Sequence, residues 1–156
     1  MKKINITISG GLGRMGSLLI QKVKEDRSLN LSSVTEQREL KKNGIFFEKN
    51  SSQSLKKTNV IIDFTRPNCT SQILKLATKL KKKVIIGTTG FNKKQQAEIN
   101  KASKKISILQ SGNMSLGVNL MQYLSGILSE KILKEYSMEI HEAHHKMKID
   151  YPSGTA

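Results

Sequence analysis

The chain has no tryptophan and few aromatic residues of any kind, three tyrosines and four phenylalanines in 156 residues. A protein that grips single-stranded nucleic acid by stacking needs such rings interleaved with its basic residues, and no such interleaving is seen. Arginine is scarce as well: 23 of the 27 basic residues are lysine, whereas base readout leans on arginine. The formal net charge of +15 therefore reads as a lysine-biased surface, one that raises the encounter rate with anionic ligands. No nucleic-acid partner is expected; a basic nucleic-acid-binding protein is an alternative that these absences count against. The single cysteine, Cys69, cannot close an internal disulfide, which fits a reducing, cytoplasmic setting. No apolar run approaches the ~18–20 residues of a membrane-spanning helix, so no membrane partner is expected. Met1-Lys2-Lys3 leads directly into a strand-like run without a small-residue cleavage site, which argues against a secretory signal.

What is present is a strand–helix rhythm. Residues 4–9 (I-N-I-T-I-S) alternate β-branched and small polar side chains and then meet a glycine cluster, Gly10-Gly11-Leu12-Gly13-Arg14-Met15-Gly16. That pattern predicts a strand ending in a turn. Gly11, Gly13 and Gly16 form G-x-G-x-x-G, and a helical pattern follows at once, with Met15, Leu18, Leu19 and Val23 as its expected inner face. Strand, glycine turn and helix in this order point to a dinucleotide site, because the glycines let the backbone approach a pyrophosphate that rests on the helix N-terminus. A tight turn with no ligand is the plainer alternative. The next apolar run, residues 29–34, predicts a second strand ending at Thr35-Glu36. Glu36 lies where an acid accepts hydrogen bonds from the adenosine ribose. An acid there favours NADH, whereas Arg38 two residues on could pair with the 2′-phosphate of NADPH, so Gln37 and Arg38 leave that choice open.

Residues 39–58 are polar and lysine-rich, with a short strand expected at 45–47 and a helical turn near 52–55. The apolar run from Val60 to Thr65 suits a strand buried on both faces. Pro67 breaks it and starts a helix with Ile73, Leu74 and Ala77 inward. Another buried strand, residues 83–86, runs into Gly87-Thr88-Thr89-Gly90-Phe91, a turn at the strand end where open α/β sheets bind ligands. A lysine-rich helix over 93–104 and a strand over 106–109 follow. Ser111-Gly112-Asn113-Met114-Ser115 then caps a helix expected over 116–132. These repeats predict an α/β, Rossmann-like, doubly wound parallel sheet with right-handed crossovers. Residues 136–143 alternate with period two and read as a strand that delivers His144 and His145.

All three histidines fall in His141-Glu142-Ala143-His144-His145. The spacing matches H-E-x-x-H, which binds zinc only on a helix, where positions i and i+4 share a face. The alternation before it and Pro152-Ser153-Gly154 after it predict an extended segment instead, so no metal is expected. Histidines packed at a strand end are the plain alternative.

Taken together these residues resemble the dihydrodipicolinate reductases, the 4-hydroxy-tetrahydrodipicolinate reductases of the diaminopimelate and lysine pathway. Five ordered blocks carry the resemblance: Gly10 to Gly16, Asp63-Phe64-Thr65-Arg66-Pro67, Gly87 to Phe91, Asn113 to Asn119, and E-A-H-H-x-x-K-x-D-x-P-S-G-T-A over 142–156. The resemblance implies NADH or NADPH as cofactor, with Gly10, Gly11, Leu12, Gly13, Arg14 and Met15 at the pyrophosphate and Glu36 at the ribose; Gln37 stands where members that tolerate NADPH can carry a basic residue, which leans the expectation towards NADH. Gly87, Thr88 and Thr89, and Ser111, Gly112, Asn113 and Met114, would flank the nicotinamide end. It further implies that His144 and Lys148 form the acid/base pair, and that His145, Ser153, Gly154 and Thr155 bind a small dicarboxylate substrate. A Ser-Gly-Thr turn suits that task as a nest of backbone N–H groups. The expected organisation is a dinucleotide-binding domain over 1–115, then a connecting helix with the first strand and catalytic loop of a truncated α+β substrate and tetramerisation domain over 116–156. On this expectation the full-length protein is a homotetramer, and the 156-residue chain is either the N-terminal portion of an NAD(P)H-dependent reductase or a nucleotide-binding module without turnover.

Overall fold

The computed structural model describes residues 2–132, 135–137, 139–144, 146, 152 and 153. Among them are strands β1 (Ile4–Ser9), β2 (Leu29–Thr35), β3 (Leu40–Lys42), β4 (Ile45–Glu48), β5 (Val60–Asp63), β6 (Lys83–Ile86) and β7 (Ile108–Gln110). Helices α1 (Arg14–Glu25), α2 (Pro67–Leu80) and α3 (Lys93–Ser103) are threaded between them, and α4 (Leu116–Ile132) follows. The chain divides into two compact units, Met1–Ser111 and Gly112–Ala156.

In the first unit the strands form one sheet in the order β3-β4-β2-β1-β5-β6-β7. Every ladder is parallel except that between β3 and β4, so the doubly wound sheet takes the form expected of it. The antiparallel β3 lies within a stretch whose lysines hide the strand pattern. Its hairpin is made by Asn43 and Gly44, both at positive φ, the turn chemistry that joins two short antiparallel strands.

Successive strand residues point to opposite faces, and the core divides accordingly. Ile6 and Ile8 pack with Ile20, Val23, Val34 and Phe47. Ile61 packs on the other face with Ile73, Leu74 and Ala77 of α2 and Ile99 of α3. Ile73, Leu74 and Ala77 are thus the inner stripe that their spacing predicts. Helix α1 buries Val23 as expected and Leu19 in part, but Gly16 and Ile20 go inward with them, whereas Met15 and Leu18 of the expected face are exposed. The tight seat of Gly16, described below, sets that rotation and carries Ile20 inward with it.

Local signals fix the other helix ends. Pro67 occupies the first turn of α2, where its missing N–H costs nothing. Asn92 and Gln95 close a reciprocal capping box on α3. The strand expected over 106–109 starts later, because Ile106 still donates its N–H to Ala102 O at 3.0 Å as α3 unwinds.

In the second unit α4 spans the residues its pattern predicts. The strand expected over 136–143 does not form among the described residues, which carry no ladder there. Period-two alternation makes a strand only where a neighbour takes its N–H and C=O groups, and none does so among the described residues. No helix in the described residues is long and apolar enough to cross a membrane.

Ile61 is wholly buried at the middle of the sheet. Ile61→Ala is expected to cost about 2–5 kcal/mol through lost burial and the cavity left behind, read as a lower urea midpoint at unchanged slope.

Candidate functional site

β1 lies between β2 and β5, so the chain leaves it in one direction and returns on its other side. Open α/β sheets bind ligands at such a switch point, beyond the carboxyl ends of the strands. A cleft of about 430 Å³ opens there, walled by Ser9, Gly10, Leu12 and Gly13 after β1, Thr35 and Glu36 at the end of β2, and Thr65 and Arg66 after β5.

The glycine turn is built by close approach. Gly10 has φ of +80°, and a side chain on it would meet Thr65 Cγ2 at 2.8 Å. A side chain on Gly16 would fall on the carbonyl oxygen of Gly10, well inside van der Waals contact. Gly10 N donates to Thr35 O at 2.9 Å and Gly13 N to Gly10 O at 3.1 Å, which fastens the turn to the neighbouring strand. The Gly13 cap of α1 has no side-chain hydrogen bond, and the first turn carries no acid. The helix's own cap and first turn thus bring no negative charge to the positive end of its dipole.

Glu36 Oε1 accepts the Leu12 N–H at 2.8 Å, and its own N–H is held by Glu48 O at 2.7 Å. The acid at the end of β2 is thus latched to the glycine turn at the cleft mouth. Three of the turn's N–H groups, those of Gly10, Leu12 and Gly13, are already engaged within the protein. Deeper in, Ser9 and Thr35 are 1% and 0% exposed, and their hydroxyls, with Asn50 Oδ1, have no hydrogen-bond partner among the described residues. Buried polar atoms rarely stay unpaired, and all three residues line the cleft. A polar, phosphate-bearing ligand fits such a wall: unpartnered hydroxyls inside, a helix N-terminus and two arginines, Arg14 and Arg66, near its rim.

The other turns of this edge meet at Asp63, the last residue of β5 and 0% exposed. Thr65 Oγ1 donates to its Oδ1 and Thr70 Oγ1, from α2, to its Oδ2. Thr88 Oγ1 reaches Oδ2 at 3.4 Å and accepts the Thr65 N–H at 2.9 Å. Burial pushes the Asp63 carboxyl above its ordinary range, and the three hydroxyls pull it back. Thr88, expected at the nicotinamide end, is buried with its hydroxyl committed to this cluster; Gly87 and Thr89 flank it. Ser111 closes the unit, its N–H on Ile86 O at 3.0 Å. Sequence reasoning assigns no site role to Asp63, Ser9, Thr35 or Asn50, although Asp63 opens one of the five blocks. Their one signal is polarity at the carboxyl end of apolar strands.

In the second unit Asn113 begins the turn into α4, its Oδ1 accepting the Ser115 N–H at 2.8 Å; Gly112 and Met114 flank it, exposed. A cavity of about 720 Å³ is lined by Asn113, Met121, Gln122, Glu142, His144 and Ser153, among others. Glu142 is its hub. One oxygen accepts the Ser153 N–H at 2.9 Å, and the other lies 3.0 Å from His144 Nε2. The Ser153 hydroxyl and N–H and the His144 ring hold the Glu142 carboxyl down at about 2. A carboxylate only accepts, so His144 Nε2 carries the proton. His141 and His144 are not on a helix, the placement that H-E-x-x-H zinc binding needs. His145, Lys148, Gly154 and Thr155 lie outside the described residues.

Family models describe both parts of the chain: "Dihydrodipicolinate reductase, N-terminus" over residues 4–114 and "Dihydrodipicolinate reductase, C-terminus" over 117–156. The chain belongs to the dihydrodipicolinate reductase family. It is 56% identical over 158 residues to the 4-hydroxy-tetrahydrodipicolinate reductase of Pelagibacter ubique strain HTCC1062, covering 100% of this chain and 61% of that protein. Its fold is similar to that of the dipicolinate-bound dihydrodipicolinate reductase from Paenisporosarcina sp. TG-14, with a TM-score of 0.78, 24% identity, and 98% and 62% of the two chains covered. It is also similar in fold to GenD2 from gentamicin A biosynthesis in complex with NAD, with a TM-score of 0.57, 14% identity, and 80% and 39% covered. The chain thus spans 58% to 63% of the length of the curated relatives it matches.

The geometry around Glu142 sets a pH window. Its folded value is depressed, so its hold on Ser153 and His144 is complete above its ordinary 4.5 and lost as pH falls through about 2. A carboxyl-carbon NMR titration should place the Glu142 midpoint near 2; a midpoint near 4.5 would show that these bonds do not form in solution.

Proposed function

We propose that the first unit binds a nicotinamide dinucleotide, and that at its relatives' length the protein reduces 4-hydroxy-tetrahydrodipicolinate to tetrahydrodipicolinate in the diaminopimelate and lysine pathway. The observation that carries the reading is the cleft at the switch point, where the uncapped N-terminus of α1 and the unpartnered Ser9 and Thr35 hydroxyls share one wall. The family, and a fold neighbour whose title names NAD, support the same ligand class.

In this reading Gly10 to Met15 receive the pyrophosphate on the turn and the first turn of α1, and Glu36 takes the adenosine ribose hydroxyls. Glu36 is held at the mouth by Leu12 and followed by uncharged Gln37, so a 2′-phosphate would meet a fixed negative charge. That favours NADH over NADPH. Gly87, Thr89 and Ser111 to Met114 are assigned to the nicotinamide end, with Thr88 acting from behind through its bond to Asp63. When bound, the dinucleotide supplies a hydride.

The substrate loses its hydroxyl as water to give a conjugated imine. Hydride then adds to the carbon end of the conjugated system, its electron pair moves towards the nitrogen, and a proton completes the reduced ring. His144 and Lys148 are assigned to that proton. An anionic Glu142 orients the His144 ring and fixes the proton on Nε2, leaving Nδ1 as the acceptor nitrogen while the ring is neutral. His145 and the Ser153-Gly154-Thr155 turn are assigned to the substrate carboxylates, the turn by its backbone N–H groups. A relative in structure is titled as dipicolinate-bound, a small ring dicarboxylate of this kind.

One observation favours a second reading for the 156-residue chain itself. Leu116, Leu120, Tyr123 and Leu128 are exposed and no residue of α4 is buried. Loosely supported catalytic groups lose rate steeply, ~100-fold for a 1 Å displacement, so this chain is expected to act as a nucleotide-binding module with little turnover.

Calorimetric titration of the chain with NADH, beside a spectrophotometric reductase assay, separates the readings: saturable binding with little turnover is expected, and a folded sample that binds neither NADH nor NADPH would overturn both. Gly16→Ala should abolish binding by forcing α1 away from Gly10. At the relatives' length, His144→Gln and Lys148→Ala should each lower kcat by ~10²–10⁴-fold, the usual worth of a general acid or base; an unchanged kcat would reject the assignment.

A further inference from the structure

Asp63 is a buried carboxylate that the proposed chemistry does not use, and its partners come from three successive pieces of chain. Thr65 follows β5, Thr70 lies in the first turns of α2, and Thr88 follows β6. One of those pieces, the turn after β5, walls the cleft with Phe64, Thr65 and Arg66, and another, the turn after β6, is the one assigned above to the nicotinamide end. Thr65 and the Phe64 carbonyl set the clearance over Gly10, 2.8 Å and 3.1 Å from where a Cβ would stand, and the Phe64 ring lies against Gly87. The pyrophosphate turn, the turn after β5 and the turn after β6 are thus in mutual contact, and Asp63 lies beneath the latter two.

The bonds differ in what could replace them. The Thr65 and Thr70 hydroxyls each have a second acceptor in reach, Arg66 O at 3.5 Å and 3.4 Å. The Thr88 oxygen already accepts the Thr65 N–H, so its own proton is directed to Asp63. The result is a relay, Thr65 N–H to Thr88 Oγ1 to the Asp63 carboxylate, that ties the turn after β5 to the turn after β6. Any acid would satisfy a buried hydroxyl; this one joins the two loops between which the nucleotide is proposed to lie.

We infer that Asp63 is a positioning residue for nucleotide binding, which sets the spacing of the turns after β5 and β6 through the Thr88 hydroxyl and does not touch the ligand. The inference rests on the nucleotide reading proposed above. Thr70 belongs to the same cluster but reaches Asp63 from within α2 and does not tie the turn after β5 to the turn after β6, so it supplies the control.

The test compares the wild-type chain with Asp63→Asn, Thr88→Val and Thr70→Val. NADH affinity is measured by calorimetry, and exchange of the Thr65 amide hydrogen by NMR without nucleotide. Asp63→Asn keeps the shape but turns one acceptor into a donor. It and Thr88→Val should weaken NADH binding ~10–100-fold, the scale of one hydrogen bond to a charged group, and should speed Thr65 exchange. Thr70→Val should lower the unfolding temperature yet keep NADH affinity within about twofold and leave Thr65 exchange slow. If Asp63→Asn does not fold, Thr88→Val alone carries the comparison with Thr70→Val. Wild-type affinity in Asp63→Asn or Thr88→Val would overturn the inference, as would an equal loss in Thr70→Val, which would make the cluster a fold-holding core alone. A wild-type chain that does not bind NADH would instead defeat the nucleotide reading itself.

Discussion

The carbonyl of Gly10 occupies the space that a side chain at Gly16 would need, and much of the first unit follows from that contact. With no Cβ between them, α1 begins directly against the turn that ends β1, and its axis and rotation are set at its first residues. The rotation brings Ile20 and Val23 onto Ile6 and Ile8 and leaves Met15 and Leu18 exposed. Because α1 starts so close, Leu12 is within reach of Glu36 and the turn is latched to β2. A larger residue at Gly16 would move the helix, and the cleft, the latch and one of the two cores would move with it.

That edge of the sheet shows how a mostly parallel fold stays open without losing its hydrogen bonds. Strands β1, β2, β5 and β6 end within it, and their last residues are Ser9, Thr35, Asp63 and Ile86. Asp63 is satisfied from within by threonine hydroxyls, while Ser9 and Thr35 face the cleft without partners. An unsatisfied buried hydroxyl is costly, so a cleft that keeps two of them favours a ligand able to bond them. Hydroxyls also suit the electrostatics. They add no charge beside an anionic ligand, while the helix dipole and the basic surface supply attraction.

The sheet was legible in the sequence because its signals are local and repeated: apolar runs of strand length, glycine turns, Pro67, and inward stripes such as Ile73, Leu74 and Ala77. β3 was not, since its lysines mask the alternation and only the turn at Asn43-Gly44 betrays it. The face of α1 was misjudged because hydrophobic spacing offers two neighbouring stripes, and a steric contact at Gly16, not hydrophobicity, chooses between them. The glycine turn and Glu36 were found together, by spacing, and the structure joins them with a hydrogen bond. Asp63 opens one of the five blocks yet received no role, because the bond that joins it to a second turn comes from Thr88, 25 residues away, which no linear motif exposes. Around 136–143 alternation was a true property of the sequence but not a sufficient one, since a strand is defined by what it pairs with.

The two units also differ in how much of their apolar surface they cover. In Met1–Ser111 both faces of the sheet are packed by helices, and residues such as Ile8, Ile61 and Ile73 are fully buried. In Gly112–Ala156 a helix of 17 residues keeps Leu116, Leu120, Leu124 and Leu128 exposed, a large unburied stripe for a helix of a folded protein. A binding cleft needs only fixed walls, and the first unit has them. Proton transfer demands more, because a general acid must hold its reach to within a fraction of an ångström. In the second unit Glu142 supplies some of that order by joining His144 to Ser153 with one carboxylate. One half-buried hydrogen-bonded hub fixes a ring's tautomer more readily than it fixes a site's position. The proposed nucleotide binding and the proposed catalysis therefore make unequal demands on packing, and the packing of this chain suits the first more fully than the second.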